Sequence, residues 1–253
     1  IWYSGALERF GFGRDTATRK GELSVYFLDV GQGDSTLFSD GENAVLIDTG
    51  ADPAQKDLAA RLLNLGIKRI DLLILTHPDG DHTGGTDGIL ERFEVGEILV
   101  PYGDVLITRD PDYLAVLECA ARTGVPVTKV RAGESRTLGT MTLEFFAPNS
   151  IYYEEINDYS IATRVVFGET SFLFTGDAGV TSETEMTEKY GDRLHSMVYH
   201  AGHHGAATST SEPFLSTVAP EYAVISCGAG NTYGHPRAET LDLFEKYHVT
   251  YFR

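Results

Sequence analysis

The feature that most restricts how this chain can fold is an order of elements that occurs twice: a meander of short apolar strands, then strands alternating with helices. In the first half Leu23, Val25 and Phe27 alternate toward Asp29, a Gly31-Gln32-Gly33-Asp34 turn reverses the chain, and 35–38 and 44–47 follow as strands. Asp52-Pro53 reads as an N-cap with proline at the first helical position. Leu58, Leu62 and Leu65 then form one apolar stripe, and Gly66 stops the helix. Strand 72–75, a polar loop, a helix through Ile89 and Leu90 to Phe93, and strand 98–100 come next. A helix over 113–121 ends at Gly124 before strand 127–130. The second half predicts strands near 141–146, 161–167 and 171–174, a helix near 182–190 and strand 197–199. A helix from about Ser211, strand 222–225, a helix over 236–247 and a last strand complete it. No fixed-period repeat accompanies this order. Two sheets face to face with helices outside satisfy it, because each helix must bury its apolar stripe against a sheet.

With 253 residues, 42% of them hydrophobic and 11% aromatic, the chain can bury a substantial core. Residues 1–21 mix Gly, Arg and Thr without periodicity and read as an N-terminal extension; 22–253 read as one domain. No apolar run approaches the roughly 18–20 residues that span a bilayer. The start at Ile1 suggests a processed protein or a piece of a longer one, with any targeting or transmembrane segment already removed. The formal net charge of −17 repels polyanions at long range and excludes the broad basic footprint of a duplex-binding domain. It leaves phosphodiester chemistry open, since divalent ions in one cleft supply a concentrated local positive field. Cys119 and Cys227 lie far apart without metal-type spacing and read as buried thiols, a disulfide remaining open.

The chemistry concentrates where strands end. After the apolar run at 72–75 comes Thr76-His77-Pro78-Asp79-Gly80-Asp81-His82-Thr83-Gly84-Gly85, four candidate metal ligands within six positions. Imidazole with carboxylate suits a divalent cation; the bland alternative is a solvated Asp/Gly turn. Thr175-Gly176-Asp177 follows the next apolar strand, and Asp177 is the natural bridging ligand. His200-Ala201-Gly202-His203-His204-Gly205 and Gly234-His235-Pro236 follow two more. Four strand-end loops therefore carry His or Asp, where layered α/β folds place their sites. His204 reads as a packing or supporting residue, and His195, His200 and His248 as structural. Asn157 and Asp158 are left open between metal contact and none, and Ser160 between phosphate contact and a strand start. The 208–211 run reads as site lining or as an N-cap, and Glu183 and Glu185 as a solvated helix face.

Taken together, Leu28-Asp29-Val30-Gly31-Gln32-Gly33-Asp34-Ser35, the 76–85 loop, Phe174-Thr175-Gly176-Asp177, Gly202-His203-His204-Gly205 and Gly234-His235-Pro236 resemble the metallo-β-lactamase superfamily. Within it the chain is similar to the hydrolase domain of the ComEC competence proteins and their free-standing secreted relatives. The resemblance runs from about Leu23 to the last residue. It implies an α/β four-layer αββα sandwich with a two-metal site at one edge of the sheets. By motif position His77 and Asp79 would bind a first metal, Asp81 and His82 a second, Asp177 would bridge them, and His203 would complete the second. Two departures stand out: Asp79 occupies a position usually held by histidine, and 157–160 lacks another. The first site becomes oxygen-rich, which narrowly favours Mn²⁺ over Zn²⁺ although affinity series favour Zn²⁺ in an indifferent site.

The expected activity is metal-dependent phosphodiester hydrolysis, with DNA as the substrate the resemblance suggests. Two cations roughly 3.5–4 Å apart can share a hydroxide and clamp the attacked phosphoryl oxygens. Asp81 could orient the water, Asp177 set the spacing, and His235 contact the phosphate or protonate the leaving oxygen. A second enzymatic reading is an extracellular phosphodiesterase on a small or cell-wall ester such as phosphocholine-teichoic acid. A non-catalytic metal-binding module of a DNA-uptake transporter is the third, and lactam or thioester hydrolysis is disfavoured by the missing imidazoles. The resemblance further implies an extracytoplasmic location, secreted or tethered at the membrane, with a transporter attached in the full-length protein. Oligomeric state is not legible.

Overall fold

The computed structural model describes residues 18–253. Residues 1–17 of the expected extension lie outside the described residues. The first sheet runs β1 (Ser24–Phe27), β2 (Thr36–Ser39), β3 (Ala44–Ile47), β4 (Arg69–Ile74), β5 (Glu94–Pro101) and β6 (Val127–Val130), neighbours in space as in sequence. Its first three strands pair antiparallel and the rest parallel. Helices α1 (Gln55–Asn64), α2 (Gly80–Thr83), α3 (Thr86–Arg92), α4 (Val105–Thr108) and α5 (Pro111–Thr123) fill its connections. The second sheet holds β7 (Ser135–Leu138), β8 (Met141–Phe145), β9 (Thr163–Phe167), β10 (Thr170–Phe174), β11 (Val198–His200), β12 (Tyr222–Val224) and β13 (Thr250–Phe252). It too passes from antiparallel hairpins to parallel strands at β10, with helices α6 (Val180–Tyr190), α7 (Glu212–Val218) and α8 (Ala238–Lys246).

Side-chain alternation explains the layering. Along β3, Val45 and Ile47 enter the seam between the sheets while Ala44 and Leu46 meet α1 and α3, so the strand is buried on both faces and its sequence is continuously apolar. In β10, Phe172 and Phe174 face the seam and Leu173 faces the layer of α6–α8. The result is the four-layer αββα sandwich expected. Phe38 lies fully buried at the centre of the seam, edge-on to Phe172 and Phe174 with centroids 5.5 and 5.4 Å away. Phe38→Ala should cost about 3–5 kcal/mol of unfolding free energy by urea titration; a loss below about 1 kcal/mol would mean that the seam does not carry the fold.

Helix ends follow local chemistry. Asp110 caps α5 by accepting from the backbone N–H of Asp112 and Tyr113, Pro111 occupies the first turn, and Gly124 closes the helix at φ 75°. Other boundaries differ from the sequence reading. Asp52 is not an N-cap: it opens a 3-10 turn over Asp52–Ala54, and α1 starts at Gln55. Helix α8 starts at Ala238 rather than Pro236, and β7 is a strand the reading missed. Glu183 is not on a solvated face. It is fully buried and its carboxylate accepts from the backbone N–H of Thr210 and Ser211, supplying the start of α7 with the acceptor that the Ser211 side chain does not provide. Of the two free thiols, Cys119 is buried as expected and Cys227 is only partly so. Among the described residues no helix is long and apolar enough to cross a membrane.

Candidate metal centre

Parallel pairing at the middle of each sheet delivers the loops after β4, β10 and β11 to one edge of the sandwich. His82 sits in α2, wholly buried, with Nε2 3.1 Å from Asp177 Oδ1. His77 Nε2 lies 3.6 Å from Asp79 Oδ2 and 3.9 Å from Asp177 Oδ2, and His203 Nε2 lies 3.6 Å from the same oxygen. Asp81 Oδ2 accepts from His204 Nε2 at 3.2 Å. The six residues expected as ligands, His77, Asp79, Asp81, His82, Asp177 and His203, are thus brought around one carboxylate. His235 stands beside them, its ring centroid 5.6 Å from His203.

Four further residues belong to the cluster. His204 does not merely pack: Nδ1 donates to the Ser226 carbonyl at 3.0 Å and lies 3.2 Å from Asp34 Oδ1, which aims Nε2 at Asp81 and Asp177. Asp34, His82, Asp177 and His204 offer ligand atoms all within 4.8 Å of one another. Asp48, which the sequence reading passed over, accepts from Thr76 N–H and Oγ1 at 2.8 Å each and from His82 Nδ1 at 2.8 Å. A carboxylate on one ring nitrogen fixes the tautomer that presents the other, the usual support of a metal-binding histidine. His200, read as structural, lies 3.6 Å from Asp34 and hydrogen-bonds Ser226 Oγ. The strand-end position of Asp48, directly after an apolar run, was the available signal.

Of the residues left open, Asp158, Ser160 and the 208–211 run make supporting contacts. Ser160 Oγ accepts from the Asp177 N–H, and Asp158 turns away to accept from Gly179 and Ser182 at the start of α6. Thr208 Oγ1 hydrogen-bonds His203 Nδ1, so the 208–211 run does line the site, while Ser209 donates to the Ala178 carbonyl. Asp48, His203 and His204 hold φ at 58°, 50° and 56°, left-handed values that cost a non-glycine residue about 1–2 kcal/mol each. Thr210, Ala219 and His248 also hold positive φ, so such strain occurs at loop and helix-end positions as well as at the cluster. Gly33 brings its backbone against Asp81: the Asp34 N–H donates to the Asp81 carbonyl, and a Cβ on Gly33 would run into that oxygen.

Electrostatics match a site built for a cation. Burial works against charge throughout, yet Asp177 and Asp48 hold His82 protonated well above its ordinary range, and Asp34, Asp81 and Asp177 push His204 to about 11. Burial likewise opposes ionisation of Asp177 and Asp34, but the surrounding imidazoles outweigh it, carrying Asp177 far down and Asp34 to about 2. His203 and His235 are shifted down, by burial first and then by neighbouring positive charge. His77 Nε2, His82 Nε2 and Asp177 Oδ1 are buried without hydrogen bonds, close together but not aimed at one another. Orphaned buried donors and acceptors are costly unless a third partner satisfies them. This mixed N/O set fits divalent cations. Asp48→Asn, which removes the charge behind His82, should weaken metal affinity about 10–100-fold by calorimetric titration; unchanged affinity would leave Asp48 with a folding role alone.

Comparison with known proteins agrees with this geometry. The model of the metallo-beta-lactamase superfamily matches residues 28–229. The chain is 34% identical to competence protein ComA of Neisseria gonorrhoeae, covering 93% of this chain and 31% of that protein. It is 30% identical to ComE operon protein 3 of Bacillus subtilis, covering 92% and 32% respectively. The chain therefore spans about a third of the length of these curated relatives. CmlA, a diiron β-hydroxylase from Streptomyces venezuelae, superposes with a TM-score of 0.62 at 18% identity, over 93% of this chain and 53% of that one. The metallo-beta-lactamase fold protein YhfI from Bacillus subtilis does so with 0.57 at 14% identity, over 90% and 94%. At such identities the likeness speaks for the fold. Sandwich topology, strand-end ligand loops and the family match converge: the chain belongs to the metallo-beta-lactamase superfamily, with competence proteins among its relatives.

Proposed function

We propose that the chain is a metal-dependent phosphodiesterase that acts on DNA. The observation that carries this is the convergence of Asp79, Asp81 and Asp177 with His77, His82, His203 and His204 around buried atoms that lack hydrogen bonds. His77, Asp79 and Asp177 would hold one cation; Asp81, His82, His204 and Asp177 another, with His203 beside Asp177. Bound divalent cations supply Lewis acidity and neutralise the charge that builds on an attacked phosphoryl group. The chain's own part is positional. Asp48 orients His82, Ser160 fixes the backbone of Asp177, and Thr208 turns His203 inward. His235, half-buried beside His203, is placed to meet the phosphate or the leaving oxygen.

Asp79 in place of imidazole favours Mn²⁺, and DNA as substrate is supported by the competence relatives. A membrane transporter partner and an extracytoplasmic location go with the same reading. The test is a metal-swap assay of the purified chain on single-stranded DNA, duplex DNA and a chromogenic phosphodiester, with bound metal quantified in parallel. Cleavage of DNA at physiological salt supports the reading; turnover of small esters alone transfers it to a small or cell-wall phosphodiester, as the acidic surface would favour. His235→Ala should lower kcat; a raised KM with kcat intact would restrict His235 to binding.

A further inference from the structure

The loop from Ser226 to Pro236 is built as a rigid shelf beside the metal centre. Asn231 clamps it from within: its Nδ2 donates to the Gly228 and His235 carbonyls, and its Oδ1 accepts from the His235 N–H. Gln32 ties it to the opposite sheet by accepting from the Gly228 N–H. On this shelf Tyr233 is 61% exposed, and its ring stacks on His235 at 5.7 Å and 26°. The His235 ring is inclined 30° to His204, and His204 is inclined 32° to His82. A row of rings, stacked at Tyr233 and His235 and tilted by about 30° at each further step, thus runs from solvent to the buried histidines, and among the described residues its outer end is exposed. An exposed aromatic face held rigid beside a reaction centre loses little entropy when a flat ring settles on it.

Beside the shelf two cavities adjoin. One of about 420 Å³ is walled by Cys227, Asn231, His235 and Arg253, and one of about 480 Å³ by Phe27, Ile225, Cys227 and Arg253. Cys227, Ala229 and Arg253 belong to both, so the two form one groove leading away from His235. Among the described residues Arg253 has no carboxylate partner, and neither has Arg237 at the shelf's end. The carboxylate at the far end, Asp29, lies 4.0 Å from Arg61. A groove with an aromatic shelf at the chemical end and a guanidinium in its wall alternates the two surfaces that a single nucleic-acid strand presents, base face and phosphate. A duplex hides its base faces and needs a wider basic surface than this chain offers.

We propose that this groove holds the nucleotides next to the scissile phosphate of a single DNA strand, with a base stacked on Tyr233 and a backbone phosphate on Arg253. The proposal rests on the phosphodiesterase reading for the word scissile, but strand binding can be measured without turnover. The experiment is fluorescence anisotropy of a labelled, phosphorothioate-linked oligothymidylate with the Mn²⁺-loaded chain, at several salt concentrations, alongside a duplex of equal length. The single strand should bind more tightly than the duplex. Tyr233→Ala should weaken it about tenfold or more and Tyr233→Phe should restore it, since stacking needs the ring and not the hydroxyl. Arg253→Ala should reduce the salt slope by about 0.7, the loss of one phosphate contact on a single strand. Equal affinity for wild type and Tyr233→Ala, equal loss in the Ala and Phe variants, duplex binding as tight as single-strand binding, or no binding at low salt would each overturn the proposal. Failure to hydrolyse any phosphodiester would instead overturn the phosphodiesterase reading, whatever the anisotropy shows.

Discussion

Asp177→Ala is expected to remove hydrolysis and metal together. Asp177 is the one carboxylate approached by His77, His82, His203 and His204, and it lies at the end of β10 with its backbone N–H held by Ser160. Cations at such a site stabilise the transition state by several kcal/mol. At about 1.4 kcal/mol per tenfold in rate, the loss corresponds to roughly a thousandfold or more. Elemental analysis of the same sample decides the cause. Turnover lost while the full complement of metal remains bound would contradict a bridging role and leave Asp177 acting on substrate alone.

Chelation should be nearly as severe. A cation that binds only the folded chain stabilises it by about 4 kcal/mol when present at a thousand times its dissociation constant. For a chain of this size that is a fall of roughly 8–16 °C in Tm on stripping the metal, reversed by adding it back. Loading should also release protons, because against the cost of burial the surrounding carboxylates raise the proton affinity of His82 and His204, His204 to about 11. Apparent metal affinity therefore rises with pH as competition from protons falls. Indicator-dye titration in weak buffer would register the release. Full activity and an unchanged Tm in a sample shown to be metal-free would sink the metal reading.

Legibility in the sequence divided along a physical line. Local signals sufficed for β3 and β4, which are short apolar runs, and for α5, whose end a glycine marks. They failed for β7, whose Ser-Arg-Thr-Leu has no apolar alternation and which is held by its pairing with β8. The candidate ligands at 77–82 were legible because they are adjacent; Asp48 was not, because its partner His82 is 34 positions away and only the parallel pairing of β3 with β4 brings them together. The full set of contacts that His204 makes was hidden for a related reason. Which of two neighbouring histidines turns inward depends on backbone at φ 50° and 56°, and on Asp34 reaching across from the other sheet. Glu183 looked solvated on its own helix and is covered by the chain entering α7.

The split of the candidate ligands between the sheets has a mechanical consequence. His77, Asp79, Asp81 and His82 hang from the first sheet, Asp177, His203 and His204 from the second, and the apolar seam closes behind them. A cation at this edge would add a clasp to two leaves that already adhere through the apolar seam and through polar contacts such as Asp34 with His204 and Gln32 with Gly228. Coordination would resist any fluctuation that parts the leaves, so the candidate metal centre would also fasten the two halves of the chain.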